Sequence, residues 1–238
     1  MLGQLDHVVY LCRDLADTSG VLPGLPDLPG PPGGTPLNRL TAPDWIAVDS
    51  DGIWTAEYRL HGGAVEFLAP AYRAGDPTRT CSGLMQKVEA SGPGYKSLVF
   101  GTDDLERERT RLHAAGFEPG EITASSARHF DSDERREWRR FRCADEPLHG
   151  LKVFVIERAA ALAAAADAPI LESVEIATQH LDRARQRWRS LLGTRETTGP
   201  TAGTLTFSLG SASLLIRQIP ETSDDTGSLD RIAGVRVQ

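Results

Sequence analysis

Three stretches of the chain share one rhythm of apolar and polar positions. Each opens with a run rich in branched apolar residues: LDHVVYLCRDL at 5–15, YKSLVFGTDDL at 95–105 and LESVEIATQHL at 171–181. Each closes with another: GGAVEFLAP at 62–70, GLKVFVIER at 150–158 and SASLLIRQI at 211–219. Short runs of Val, Ile and Phe between polar breaks predict strands. After the second and third openings the spacing predicts a helix. In DLERERTRLHAAG, Leu105, Leu112 and Ala115 fall on one face, and Arg and Glu take the others. Asp103 and Glu106 have capping-box spacing, and Gly116 is a natural stop. HLDRARQRWRSLLG repeats the apolar face with Leu181, Ala184, Trp188 and Leu191, and Gly193 ends it. Further strands are expected at EWRRFRC after the first of these helices, and at TRETT and TLTFSL after the second. Each unit therefore reads β-α-β-β-β.

The first unit departs from this rhythm. Its helix position holds TSGVLPGLPDLPGPPGG at 18–34, where proline removes amide donors and clashes with the preceding turn, so no regular helix is expected. An extended cover or loop fits better. The Ala-rich stretch 159–169 has helix propensity without an apolar stripe and reads as a linker. The tail LDRIAGVRVQ predicts one more strand, the stub of a fourth unit. The expected organisation is α+β: a first module at 1–92, a second at 93–158, a linker at 159–169 and a third at 170–238.

Composition changes this picture little. The 238 residues are 40% hydrophobic and 25% charged, as in ordinary globular proteins. A net charge of −7 argues against nucleic-acid binding, which needs a basic face to displace counterions. Cys12, Cys81 and Cys143 are odd in number and far apart, which argues against a disulfide scaffold or a cysteine zinc site. The N-terminal residues lack the pattern of a secretion signal, and no apolar run reaches the roughly 18 residues of a membrane span. A cytoplasmic, bacterial-type protein is expected, with no membrane partner.

Chemistry concentrates in two places. His7 lies in the first strand of the first unit and Glu66 in its last, within AVEFL. Alternation puts His7 on the side of Val9, and Glu66 on that of Ala64 and Leu68. A carboxylate in such a run is costly to bury unless it is paired or bound to a metal. If the two strands are neighbours, imidazole and acid meet on one face. That pair suits Fe, Mn, Zn or Ni, or else persists as a hydrogen-bonded remnant of a lost site. The second place is 128–146, rich in Arg. Trp138, Arg140 and Arg142 share one face of WRRFRC and could grip a carboxylate or phosphate; a solvated sheet face is the plainer alternative. Trp45, Trp54 and Tyr58 either line the first unit's hollow or simply pack. PGPPGG lacks the Lys-Ser/Thr of a phosphate loop, and no GxSxG elbow occurs.

LDHVVYLCRDL followed by GGAVEFLAP resembles the vicinal-oxygen-chelate superfamily, in particular its glyoxalase-like proteins. The resemblance implies βαβββ modules whose sheets pair into a cup, with a first-strand His and a last-strand Glu holding a metal that chelates substrate oxygens. His7 and Glu66 match those positions. Aligning Asp104-Leu105 with Asp14-Leu15 puts Ser97 and Phe154 at the second pair, and Ser173 and Leu214 at the third. A four-ligand glyoxalase I site and the triad of extradiol dioxygenases are therefore absent. His149, before the second unit's closing strand, or His61, before the first's, is the candidate further ligand; the plainer reading of both is a loop histidine in water. The resemblance implies a metal-dependent isomerase, lyase or epimerase acting on a small oxygen-rich carbonyl or carboxylate compound. Glu66 is then the catalytic base, and Trp138, Arg140 and Arg142 bind substrate. The alternative is a metal-free sequestering protein of the bleomycin-resistance type. Two modules make one cup, so the third must pair with the tail strand or with a second copy in a homodimer.

Overall fold

The computed structural model describes residues 2–13, 15, 45–48, 53–70, 86, 90–129, 132–144, 150–160, 162–193, 196, 202–220 and 230–238. The Pro/Gly-rich stretch 18–34, Cys81, His149 and most of TRETT lie outside them.

Eight strands close into a barrel in the order β1-β4-β3-β2-β6-β7-β8-β5. They are β1 (Leu5–Leu11), β2 (Trp45–Val48), β3 (Ile53–Leu60), β4 (Gly63–Pro70), β5 (Gly94–Gly101), β6 (Thr123–His129), β7 (Arg135–Arg142) and β8 (Lys152–Arg158). Opening and closing strands pair in parallel within each half, β1 with β4 and β5 with β8. The halves meet where β1 runs antiparallel to β5 and β2 to β6. β6 was not anticipated: TASSARH is too small and polar to read as a strand, and β7 holds it in place by pairing.

Alternation divides the side chains between two environments. Val8, Tyr58, Leu60, Val65, Phe67, Leu98, Phe100, Phe141, Val153 and Val155 point outward into the main core. Val9, Leu11, Val99 and Ile156 point inward, with Ile53, Leu68, Trp138 and Phe154 packed against them. Trp54 and Tyr58 belong to the outer core, the packing alternative, because even-numbered β3 positions face away from the hollow.

Helix α1 (Leu105–Ala114) covers β7 and β8. Its cap is Asp104, whose carboxylate accepts from the Arg107 amide, one residue later than the expected Asp103. Leu105 and Leu112 are buried as the periodicity requires, whereas Ala115 lies beyond the last turn and is exposed. Helix α2 (Leu181–Leu192) buries Ala184, Trp188, Leu191 and Leu192, and Gly193 ends it at φ 67°, a conformation glycine adopts without strain.

A second sheet has the order β10-β11-β9-β12, from β9 (Leu171–Thr178), β10 (Thr204–Leu209), β11 (Ala212–Gln218) and the tail strand β12 (Arg231–Val237). β9 pairs in parallel with β11, as opening and closing strands do in the barrel. On its other side β12 runs antiparallel, as β5 does beside β1. The third repeat thus takes a partner strand from its own tail. Its register aligns Leu215 opposite Glu175, the counterpart of Glu66 opposite Val9, so Leu215 holds the position assigned to Leu214. Leu214 is instead fully buried in the core. The sheet shares that core: Trp188 meets Phe100 at a 6.5 Å centroid distance. Near Gly62, at φ 96°, an added Cβ would meet Ser211 Oγ at 2.8 Å, so only glycine permits this approach.

Candidate functional site

The barrel interior is a cavity of about 1230 Å³. It is lined from β1 by His7, Val9 and Leu11 and from β4 by Glu66 and Leu68. Parallel pairing of β1 with β4 sets Val9 opposite Glu66, which brings the imidazole and the acid together on one face as expected. His7 Nε2 lies 3.2 Å from Glu66 Oε2, and both side chains are largely buried.

A break in register aims a second acid at the imidazole. β1 pairs Leu5 with Phe100 and His7 with Val99, leaving Asp6 as an inserted residue. Such bulges redirect side chains, and they are common beside active sites. Asp6 Oδ1 sits 2.6 Å from His7 Nδ1. Arg158 donates to the same carboxylate from Nη2 at 2.7 Å and from Nε to Oδ2 at 3.0 Å. Glu57, almost wholly buried, accepts from Arg59 at 2.8 Å and Arg136 at 3.1 Å, with Arg158 Nη2 at 3.4 Å. Arg59 also donates to the Asp6 carbonyl at 3.1 Å. Sequence reading missed Asp6, Glu57, Arg59 and Arg158, because only the bulge and the barrel closure gather them.

The charges follow from these contacts. Burial disfavours the His7 imidazolium, but Glu66 and Asp6 outweigh it and raise the group to about 9. Burial works against the Glu66 carboxylate too, yet His7, Arg158 and Arg140 hold it below its ordinary value. Asp6 is likewise held ionised against burial by His7 and Arg158. At neutral pH the centre is an imidazolium between two carboxylates.

This donor set does not fit a divalent metal. The described residues contain no group of three His, Cys, Asp or Glu side chains placed as ligands. Toward the cavity the described residues offer a metal only His7 Nε2 and Glu66, since His7 Nδ1 is engaged by Asp6 and the neighbouring Glu57 is held by three arginines. Arg158 and Arg140 already bring positive charge to Glu66. His61 is exposed, with Nε2 3.4 Å from the Ala166 carbonyl and no place in the cavity wall, in keeping with a loop histidine in water rather than a ligand. His149 lies outside the described residues.

The cavity wall contributed by the second half of the barrel is basic. Trp138, Arg140 and Arg142 line the cavity from β7, with Lys152, Phe154 and Arg158 from β8 and Lys96 and Ser97 from β5. Arg140 lies over the Phe154 ring, 5.5 Å from its centroid. Ser97 and Phe154 stand at the equivalents of His7 and Glu66, because Phe154 pairs with Val99 as Glu66 does with Val9.

Paired parallel-edged units closed around a polar cup define the vicinal-oxygen-chelate class. Within it the chain belongs to the glyoxalase-like domain family, whose model matches residues 5–192. A hypothetical protein from Staphylococcus aureus shares the fold over 95% of this chain and 88% of its own, with a TM-score of 0.65 at 12% identity. A Streptomyces coelicolor methylmalonyl-CoA epimerase variant in complex with 2-nitronate-propionyl-CoA is 16% identical, with a TM-score of 0.45 over 67% of this chain and 100% of that one. The methylmalonyl-CoA epimerase of Mycobacterium tuberculosis is 19% identical, with a TM-score of 0.42 over 66% and 89%. No curated protein matches the sequence.

Proposed function

We propose that this protein is an enzyme of the isomerase, epimerase or lyase kind. It acts on a small carbonyl or carboxylate compound held in the cup, and Glu66 moves the proton. The observation that carries this reading is the His7–Glu66 contact of 3.2 Å inside a cavity able to enclose a small molecule. Trp138 supplies an apolar face for substrate, and Arg140 and Arg142 supply guanidinium groups for its carboxylate or carbonyl oxygens. Glu66 takes a proton from the carbon beside that oxygen, and negative charge grows on the oxygen next to the cationic wall. His7, held by Asp6, fixes the carboxylate's orientation and stays protonated. The divalent metal implied by the family resemblance has no step here, because the described donors do not fit one.

A second reading, sequestering without turnover, draws on one observation: Glu66 is held ionised below its ordinary range, which weakens it as a base.

The test is hydrogen exchange in D2O on a panel of small oxo- and hydroxycarboxylates, followed by mass spectrometry. Wild type exchanges a carbon-bound proton of at least one compound, and Glu66→Gln loses roughly a hundredfold or more of that rate. Saturable binding without exchange points to sequestering. Exchange equal in wild type and Glu66→Gln removes Glu66 from the chemistry. Metal analysis of protein purified without a histidine tag accompanies it; near-stoichiometric metal abolished by His7→Ala would restore the metal reading.

A further inference from the structure

The β1·β5 pair carries a second bulge. Val9 pairs with Ser97 and Tyr10 with Tyr95, so Lys96 is the inserted residue. By the barrel's pseudo-twofold relation, Lys96 before Ser97 is the counterpart of Asp6 before His7. The bulge turns Lys96 into the cavity wall, where Lys152, the neighbour of Ser97 in the β5·β8 register, also points. Arg140 and Arg142 complete this wall from β7.

Two facts make it unlike an ordinary solvated charge cluster. The buried acids around His7 are already matched: Asp6 by His7 and Arg158, Glu57 by Arg59, Arg136 and Arg158, and Glu66 by His7. Of the more exposed acids in the lining, Glu137 pairs with Arg135 and Glu157 with Arg139. Lys96 and Arg140, by contrast, have no carboxylate within salt-bridge distance among the described residues: Lys96 donates to the Ser91 carbonyl at 3.0 Å, and Arg140 covers a phenyl ring. Secondly, the fold brings like charges together. Burial, and then the nearby Lys152, push the Lys96 ammonium below its ordinary value. An anion between them would relieve both effects.

We propose that Lys96, Lys152, Arg140 and Arg142 form a site for a dianionic oxyanion group of the substrate, a phosphate ester or a second carboxylate, in the cup that also holds the His7–Glu66 pair. This names the substrate class of the site described above and rests on its reading as a substrate pocket. Ammonium groups act as point charges toward such an oxyanion, and the guanidinium forks fix its orientation.

Calorimetric titration with inorganic phosphate and, separately, with succinate at low ionic strength tests it. At least one of them binds saturably in the millimolar range, and added salt weakens the binding. Lys96→Met and Arg140→Met each weaken it roughly tenfold or more, with circular dichroism confirming the fold. Arg107→Met, on the exposed face of α1, leaves it unchanged. Phosphate binding without succinate binding assigns a phosphate ester, and the converse assigns a dicarboxylate. No saturable binding of either anion at tens of millimolar, or binding that Lys96→Met and Arg140→Met leave intact, overturns the proposal. Glu66→Gln retains anion binding even where it abolishes exchange, so failure of the base and failure of the anion site are separately visible.

Discussion

At two of four matching positions the halves of the barrel carry opposite charges, and at the other two the second half is uncharged. Asp6, His7, Glu57 and Glu66 in the first half correspond to Lys96, Ser97, Arg142 and Phe154 in the second, as the paired registers show. In the first half the charged groups lie inside, so each must be compensated by a partner that reaches it. In the second half Lys96 and Arg142 line the cavity wall with more exposure to solvent. The same backbone therefore carries a buried, mutually compensated centre on one side and a more exposed cationic wall on the other. Pairing geometry sets where a side chain points, and burial sets what its charge costs.

The comparison breaks most readily at Glu57. Its carboxylate sits among Arg59, Arg136 and Arg158, with 3% exposure. Glu57→Ala leaves three guanidinium groups gathered around a void, all of them largely withdrawn from water. Breaking a buried ion pair by removing one partner typically costs about 3–5 kcal/mol, and that is the loss expected in urea unfolding. A loss under about 1 kcal/mol would mean that solvent reaches the centre and that the halves do not differ as described.

A smaller effect separates the halves by pH. The His7 pKa is raised from 6.5 to about 9, so its contribution is complete below 6.5 and is lost as pH rises through about 9. Glu66 and Asp6 are lowered from 4.5 and 3.8, so theirs is complete above those values and is lost as pH falls through the folded-state values. Stability from this network is therefore greatest between about pH 4.5 and 6.5. From 6.5 to beyond 9 it falls by at most about 3 kcal/mol. Chemical denaturation across that range, with NMR titration of the His7 ring, measures it. Glu66→Gln should bring the ring's midpoint back toward 6.5; a midpoint near 6.5 in wild type would show that the imidazole is not clamped.

Much of this was legible before any coordinates. The apolar runs marked β1, β4, β5, β8, β9 and β11, because a strand buried on one or both faces must be written in Val, Ile, Leu and Phe. The face shared by Trp138, Arg140 and Arg142 followed from a period of two, and so did the meeting of His7 with Glu66 once their strands were taken as neighbours. What stayed hidden was non-local. Neither bulge has a sequence signature here, so Asp6 reads as a solvent-facing neighbour of His7, and Lys96 as an ordinary edge lysine. Arg158 ends its strand 152 positions from Asp6. Only closure of the barrel makes them partners. That closure also supplies the compensating cations that argue against the metal implied by a His and a Glu on adjoining strands.

The smallest expected effect is at Arg142, the counterpart of Glu57. Both face the cup from the strand beside a closing strand, Glu57 opposite Glu66 and Arg142 opposite Phe154. Arg142 is exposed, so water already solvates its guanidinium, and its pairwise attractions are screened. Removing it deletes stem packing and a weak surface interaction rather than uncovering a buried charge. Arg142→Ala should therefore cost less than about 1 kcal/mol in urea unfolding, even as it weakens phosphate or succinate binding. That combination, a near-silent effect on folding with a clear effect on anion affinity, is the signature of a residue placed for a ligand. If Arg142→Ala instead destabilises the protein as much as Glu57→Ala, the second half holds its cations as tightly as the first holds its acids, and the cationic wall is part of the structure rather than a binding surface.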